Sequence, residues 1–347
     1  MDKSYAPTSS LNIFLVLPKA ELHRHLEGSL RIETMLDIAR KHGLTVPISI
    51  LHLTGLVQIG DDEPYNFTNF LEKFKTLRLF YRSPEVITRV TREAVEDAAR
   101  DNVRYMELRF TPVALSRAEK FPLKDVMHWV CDSANKTAEK FGIEVKLIAS
   151  VNRHESPEIA EDVARLAAGM QDKGIVALDI AGNEAEFSSE PFAPIFREAK
   201  EAGLKITVHA GEWAGAENVR DAIEVLGADR IGHGVRIMED KNIIALAKER
   251  DTVFEVCVTS NHQSGVVTSL RKHPLSKMID AGLITTINTD DPSISRISLS
   301  SEFQMVHEKL GLSMKTLRDQ TLNAVNAAFL PANERERLVE EFRKGLD

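Results

Sequence analysis

Cysteine is nearly missing: the 347-residue chain has two, Cys131 and Cys257. Two thiols are too few for a disulfide-stapled scaffold. Both lie in apolar patterns, which reads as buried free thiols in a reducing, cytoplasmic setting. No apolar run approaches the length of a membrane span. The best of them, Leu11–Leu17 (LNIFLVL), is short and is followed by Pro18-Lys19-Ala20 in place of a small-x-small cleavage site. It is therefore expected to be packed N-terminal chain and not a signal peptide. Excess positive charge is lacking too: the formal net charge is −8, which argues against a nucleic-acid partner. With no repeat, low-complexity tract or Gly/Ser linker, no domain boundary can be placed, and residues 1–347 read as one domain. The hydrophobic fraction of 43% and charged fraction of 28% exclude disorder, collagen and coiled coil, and suit a globular protein with a large core.

What is present is alternation. Eight short β-rich runs occur: Ala20–Leu26, Val103–Phe110, Ile143–Val151, Ile175–Ile180, Lys205–His209, Arg230–Gly234, Val253–Val258 and Leu283–Thr289. Helical spacing fills most of the gaps. Ile32, Met35, Leu36 and Ala39 fall at i, i+3, i+4, i+7, and Pro84–Arg100 repeats the pattern with Val86, Ile87, Val90, Ala94 and Ala98. Pro191 opens another helix, with Gly203 beyond its end. Strand alternating with helix implies a parallel sheet with crossovers, and eight such units predict a (β/α)8 (TIM) barrel over a doubly wound sheet. The first crossover is oversized and holds three helical stretches, at Arg31–His42, Phe67–Phe80 and Pro84–Arg100. Three more helices, Ser300–Leu310, Met314–Phe329 and Ala332–Leu346, follow the eighth strand.

The chemistry-bearing residues cluster at strand ends. The first strand ends His23-Arg24-His25, and i, i+2 spacing sends both imidazoles to one face and Arg24 away. The fifth ends His209-Ala210-Gly211-Glu212, the sixth carries Gly232-His233-Gly234, and the eighth ends Thr289-Asp290-Asp291-Pro292. In a barrel these C-terminal ends converge, and burying such groups is costly unless they pair or bind a metal. His23, His25, His209 and one aspartate form an N3O donor set without thiolate, which suits zinc with a position left open. Zinc can bring the pKa of water down to about 7, so the expected reaction class is metal-assisted hydrolysis. Two-metal barrel hydrolases of similar pattern carry a bridging lysine at the end of the fourth strand. Here that strand reads Ala177-Leu178-Asp179-Ile180-Ala181-Gly182, and Lys173 lies before it. One metal per chain is expected.

Six blocks together resemble the adenosine deaminase family, in the adenosine/AMP deaminase-like branch of the zinc amidohydrolases. They are ELHRHLEGSLR (21–31), DIAGNE (179–184), HAGE (209–212), RIGHGVR (230–236), TSN (259–261) and NTDDP (288–292), in the family's order. The resemblance implies that His23, His25, His209 and Asp290 hold zinc. It implies that water attacks C6 of a purine nucleoside and that the 6-amino group leaves as ammonia. Glu212 would protonate N1, which requires a raised pKa that burial can supply. His233 would orient and deprotonate the attacking water, or stabilise hydroxide by charge. Asp291 would face the water and hydrogen-bond N7, and Gly182 would offer its N–H to N3, where a side chain would block close approach. His25 and Glu27 would also border the substrate. Glu27 stands where the family often has an aspartate that contacts the ribose. Ser260 and Asn261 would orient neighbouring site residues, or serve only the turn at the strand's end. Phe67, Phe70, Leu71 and Phe74 are core, or a lid that excludes water.

Adenosine and 2′-deoxyadenosine are the expected substrates. Adenine deaminases of this superfamily depart from the pattern at the GHG, TDD and AGNE blocks, where this sequence keeps it. Aminodeoxyfutalosine deaminases share nearly every motif, so the 5′ side of the substrate stays open. A catalytically silent purine-binding protein is the alternative from another class. No nucleic acid or membrane partner is expected, and the oligomeric state is not legible.

Overall fold

The computed structural model describes residues 9–346, with side chains from residue 13 onward. Eight parallel strands run in sequence order: β1 (Lys19–His25), β2 (Val103–Phe110), β3 (Glu144–Asn152), β4 (Ile175–Ala181), β5 (Lys205–Ala210), β6 (Arg230–His233), β7 (Val253–Val256) and β8 (Ile284–Ile287). This is the expected (β/α)8 barrel, and the predicted strands fall within a few residues of the observed ones. The largest differences are at β7 and β8. There the residues after Val256 and Ile287 leave the ladder and carry site side chains.

The barrel closes between β8 and β1 by backbone pairing at one residue. The Asp290 N–H donates to the His23 carbonyl at 2.9 Å, and the His25 N–H donates to the Asp290 carbonyl at 2.8 Å. Asp290 adopts the left-handed region, φ 67°, to make this turn, a conformation in which non-glycine residues are uncommon.

Helix α1 (Ser9–Val16) packs beside the helix Leu299–Leu310, burying Phe14. This agrees with the packed-chain reading of Leu11–Leu17, although the side chains of Leu11 and Asn12 lie outside the described residues. The oversized crossover holds α2 (Ile32–His42), α3 (Ile50–Val57), α4 (Phe67–Leu77) with a 3-10 turn Arg78–Phe80, and α5 (Pro84–Arg100). The α3 helix has no counterpart in the periodicity reading. In α5, Pro84 opens the first turn, the Ser83 side chain accepts the Val86 N–H, and Val86, Ile87, Val90, Ala94 and Ala98 are all buried. Burying such a side chain contributes roughly 1.5–3 kcal/mol for the larger ones.

One helix is shorter than predicted. The stretch Met314–Phe329 is helical only to Asn326. The chain then passes under the barrel. Arg230 donates to the Ala327 carbonyl at 2.8 Å, and its guanidinium stacks 3.5 Å over the Phe329 ring. The Phe329 N–H donates to Glu107 at 2.7 Å. These bonds satisfy groups that a longer helix would have used internally.

Above this floor the barrel interior is charged. Glu255 accepts from Arg109 at 2.6 Å and from Arg230 at 2.6 Å, Arg230 also pairs with Glu107, and Ser150 donates to Asp179 at 2.6 Å. All are buried. The arrangement survives burial because each charge has a partner.

Candidate active site

The strand ends gather the predicted residues around one cavity of about 270 Å³ at the C-terminal mouth of the barrel. His25, Glu27, Gly182, His209, Glu212, His233, Asp290 and Asp291 all line it, and His23 lies buried beneath.

Four donor atoms meet there. The ligand atoms of His23, His25, His209 and Asp290 lie within 4.8 Å of one another. Asp290 Oδ1 is 3.3 Å from the Nε2 of both His23 and His25, and the Nε2 atoms of His25 and His209 are 3.2 Å apart. The opposite ring nitrogens settle which form is present. His23 Nδ1–H donates to Glu255 at 2.8 Å, and His209 Nδ1–H donates to Asp179 at 3.0 Å. Burial, above all, lowers the His209 pKa to about 4, so the ring is neutral. His209 therefore turns an Nε2 lone pair inward. The bond to Glu255 points the His23 Nε2 the same way, and, against burial and the Arg109 charge, Asp290 and Glu255 raise the His23 pKa. That buried Nε2 has no hydrogen-bond partner. Imidazole nitrogens converging beside a carboxylate oxygen fit a cation, which would take the place of a proton among them. Ser260 Oγ–H occupies the other oxygen of Asp290 at 2.6 Å, leaving Oδ1 free for the cluster.

The lysine expected of a two-metal barrel is not at the mouth: Lys173 lies in the turn before β4. Gly182 follows β4 with φ +98°, which an L side chain would strain. Gly28 makes room for Asp291, because a Cβ there would lie 1.9 Å from Asp291 Oδ1.

Burial raises the Glu212 carboxyl well above the usual range, and the charges of Asp290 and Glu184 add to it. Asp291 is raised well above its usual value too, by burial and then by Asp290, Glu27 and Glu212. Both carboxyls therefore tend to hold protons.

Several residues escaped the sequence reading. Glu184 accepts four successive backbone N–H groups, from Gly211, Glu212, Trp213 and Ala214, at 2.6–3.0 Å. It fixes the loop that presents Glu212. Asp179 and Glu255 orient two of the imidazoles; Asp179 opens the DIAGNE block with no role of its own read for it, and for Glu255 a charge inside an apolar strand was the only signal. A third chain of bonds sets His233. The Leu275 N–H donates to His273 Nδ1 at 3.1 Å, and His273 Nε2–H donates to Asn261 Oδ1 at 3.2 Å. Asn261 Nδ2–H then donates to His233 Nδ1 at 3.0 Å. A backbone N–H can only donate, so the direction of the whole chain is fixed. Burial holds His233 neutral, and its proton must be on Nε2. That atom is 3.7 Å from Glu212 and 4.0 Å from Asp290.

A family model described as adenosine deaminase matches residues 18–345. The chain belongs to the adenosine deaminase family. Adenosine deaminases of Klebsiella pneumoniae and Shigella flexneri are each 36% identical to it, over 95% of this chain and 98% of the first, and over 94% and 97% for the second. Among solved structures, adenine deaminase from Arthrobacter aurescens superposes with TM-score 0.87 at 27% identity, covering 94% of this chain and 98% of that one. A Burkholderia ambifaria amidohydrolase with bound Zn gives 0.89 at 26%, covering 99% and 95%. Arabidopsis ADAL complexed with IMP gives 0.86 at 27%, covering 96% and 98%. Members of the adenosine deaminase family are hydrolases, and this chain is one of them. Among the described residues no helix is long and apolar enough to cross a membrane.

Proposed function

We propose that this chain hydrolyses adenosine and 2′-deoxyadenosine to inosine and 2′-deoxyinosine, releasing ammonia. The observation that carries this reading is the convergence of three imidazole nitrogens and one carboxylate oxygen beside Glu212, His233 and Asp291 in one cavity. His23, His25, His209 and Asp290 would hold a single zinc ion. The thiolate-free donor set supports that choice, as does the zinc in the Burkholderia neighbour. When bound, zinc supplies a Lewis acid that makes water nucleophilic at neutral pH.

The chain's own groups do the rest. Gly182 N–H and protonated Asp291 hold the purine at N3 and N7. Both ring nitrogens are acceptors, so Asp291 must donate, and its raised pKa supplies the proton. Glu212 gives its proton to N1 as oxygen adds to C6. The C6–N bond then breaks. Of the two hydrogens of water, one restores the Glu212 carboxyl and the other leaves with ammonia. His233, with its proton fixed on Nε2, acts as a hydrogen-bond donor to the oxygen at C6. This favours its charge-stabilising role over proton abstraction. The IMP and GMP complexes of Arabidopsis ADAL support a small purine substrate. Two free, buried cysteines support a cytoplasmic setting, in which purine salvage is the natural role.

The test is Glu212→Gln, which keeps the shape and removes the proton. Turnover of adenosine should fall by at least about 10²-fold, with metal content and inosine affinity retained. In the native enzyme, kcat should fall as pH rises through the raised Glu212 pKa, because only the protonated form donates. Near-native turnover by the variant removes Glu212 from this role.

A further inference from the structure

The outer wall of the cavity carries a positive group that the deamination chemistry does not use. Arg78, which opens the 3-10 turn after α4, lines the cavity. Its Nε is buried without a hydrogen-bond partner. Its neighbours are different. Lys75 pairs with Glu72 at 2.5 Å, and Arg117 pairs with Glu155 at 2.7 Å. Arg78 has no such carboxylate among the described residues. Its charge reaches Glu27, Tyr81 and His154, which places it on the Glu27 side of the cavity. Glu27 cannot swing over to neutralise it cheaply, because one of its oxygens accepts the Thr111 N–H at 2.6 Å. His154 is a second donor candidate, a neutral N–H, because burial above all, with the charges of Arg78 and Arg117, lowers its pKa. Its Nδ1 is 3.6 Å from where a Cβ on Gly182 would sit, and its nearest carboxylate, Glu155 at 3.8 Å, is already bound by Arg117.

A partly buried guanidinium with no partner is costly, and a neutral nucleoside does not relieve that cost. A planar fork of donors matches phosphate or carboxylate. We propose that Arg78, with His154 beside it, forms an anion subsite, so that the preferred substrate is a 6-aminopurine nucleoside bearing a phosphate or a carboxylate at the ribose 5′ side. The inference rests on the deaminase reading above and narrows its substrate. Adenosine becomes the minimal substrate, and the extended anion the favoured one.

The experiment compares adenosine, its 5′-monophosphate and its 5′-carboxylate on the metal-loaded enzyme by ammonia release. The expected result is at least a tenfold higher kcat/KM for one anionic substrate than for adenosine. Arg78→Gln should cut that preference at least tenfold, and Arg78→Lys should restore part of it. A preference for the phosphate or for the carboxylate identifies the source of the anion. If adenosine is turned over as well as both anions, or if Arg78→Gln lowers all three alike, the subsite is wrong and the deaminase reading stands. If none of the three is deaminated, the deaminase reading fails. Calorimetry with inosine and its 5′-monophosphate then decides the subsite separately, and equal affinities overturn it.

Discussion

Glu184 supports the reaction at a distance, through four backbone N–H groups that it holds in a fixed fan. Glu184→Gln replaces one accepting oxygen by a donor and should let the Glu212 loop drift. A displacement of about 1 Å can cost on the order of 10²-fold in rate. The expected outcome is a fall in kcat of that order with bound metal unchanged by elemental analysis. The His273–Asn261–His233 chain makes a second case. Asn261→Leu and His273→Ala should each lower kcat roughly tenfold, and the double variant should be little worse than either, since residues in one network are not additive. The histidines, Glu212 and the aspartates were legible because they are polar groups set at the ends of apolar runs. His273 was not, and Glu184 was only the end of the DIAGNE block with no role attached, because both act through loops whose path only the folded chain defines. Arg78 sat in plain view within an amphipathic stretch, where a surface position is the ordinary reading.

At the level of elements, α4 forms one wall of the cavity through Phe70, Leu71 and Phe74, and Phe67 meets Trp213 with ring centroids 5.8 Å apart. Phe70 is fully packed and Phe74 half-buried. Core and lid were posed as alternatives for this segment; the helix packs into the core through Phe70 and lines the cavity. Phe74→Ala should open the wall, raising KM for adenosine about tenfold while kcat changes less, by the logic that apolar walls exclude water from the pocket. Steady-state kinetics separate the two parameters. Periodicity gave α2, α4 and α5 and all eight strands. It overextended the helix that starts at Met314, because the residues after Asn326 keep an apolar pattern. Their partners are Arg230 and the barrel floor, not their own helix.

Across the whole molecule, the charged interior and the seam decide stability. Arg230→Met would leave Glu107 and Glu255 buried with fewer partners. Breaking such a pair typically costs about 3–5 kcal/mol, which urea melts at neutral pH should register as a lower midpoint. Eight alternations of strand and helix were enough to predict a closed barrel. They were silent on how it closes, since closure depends on one residue, Asp290, leaving its strand in a left-handed turn to pair with both neighbours of Arg24. Synthesis on the ribosome gives that seam a further meaning. A nascent chain exposes His23 and His25 early, yet the four-donor cluster does not exist until the eighth strand has been made and Asp290 has met the first. A chain terminated before Asp290 therefore lacks at once the closing strand pair and one of the four donors.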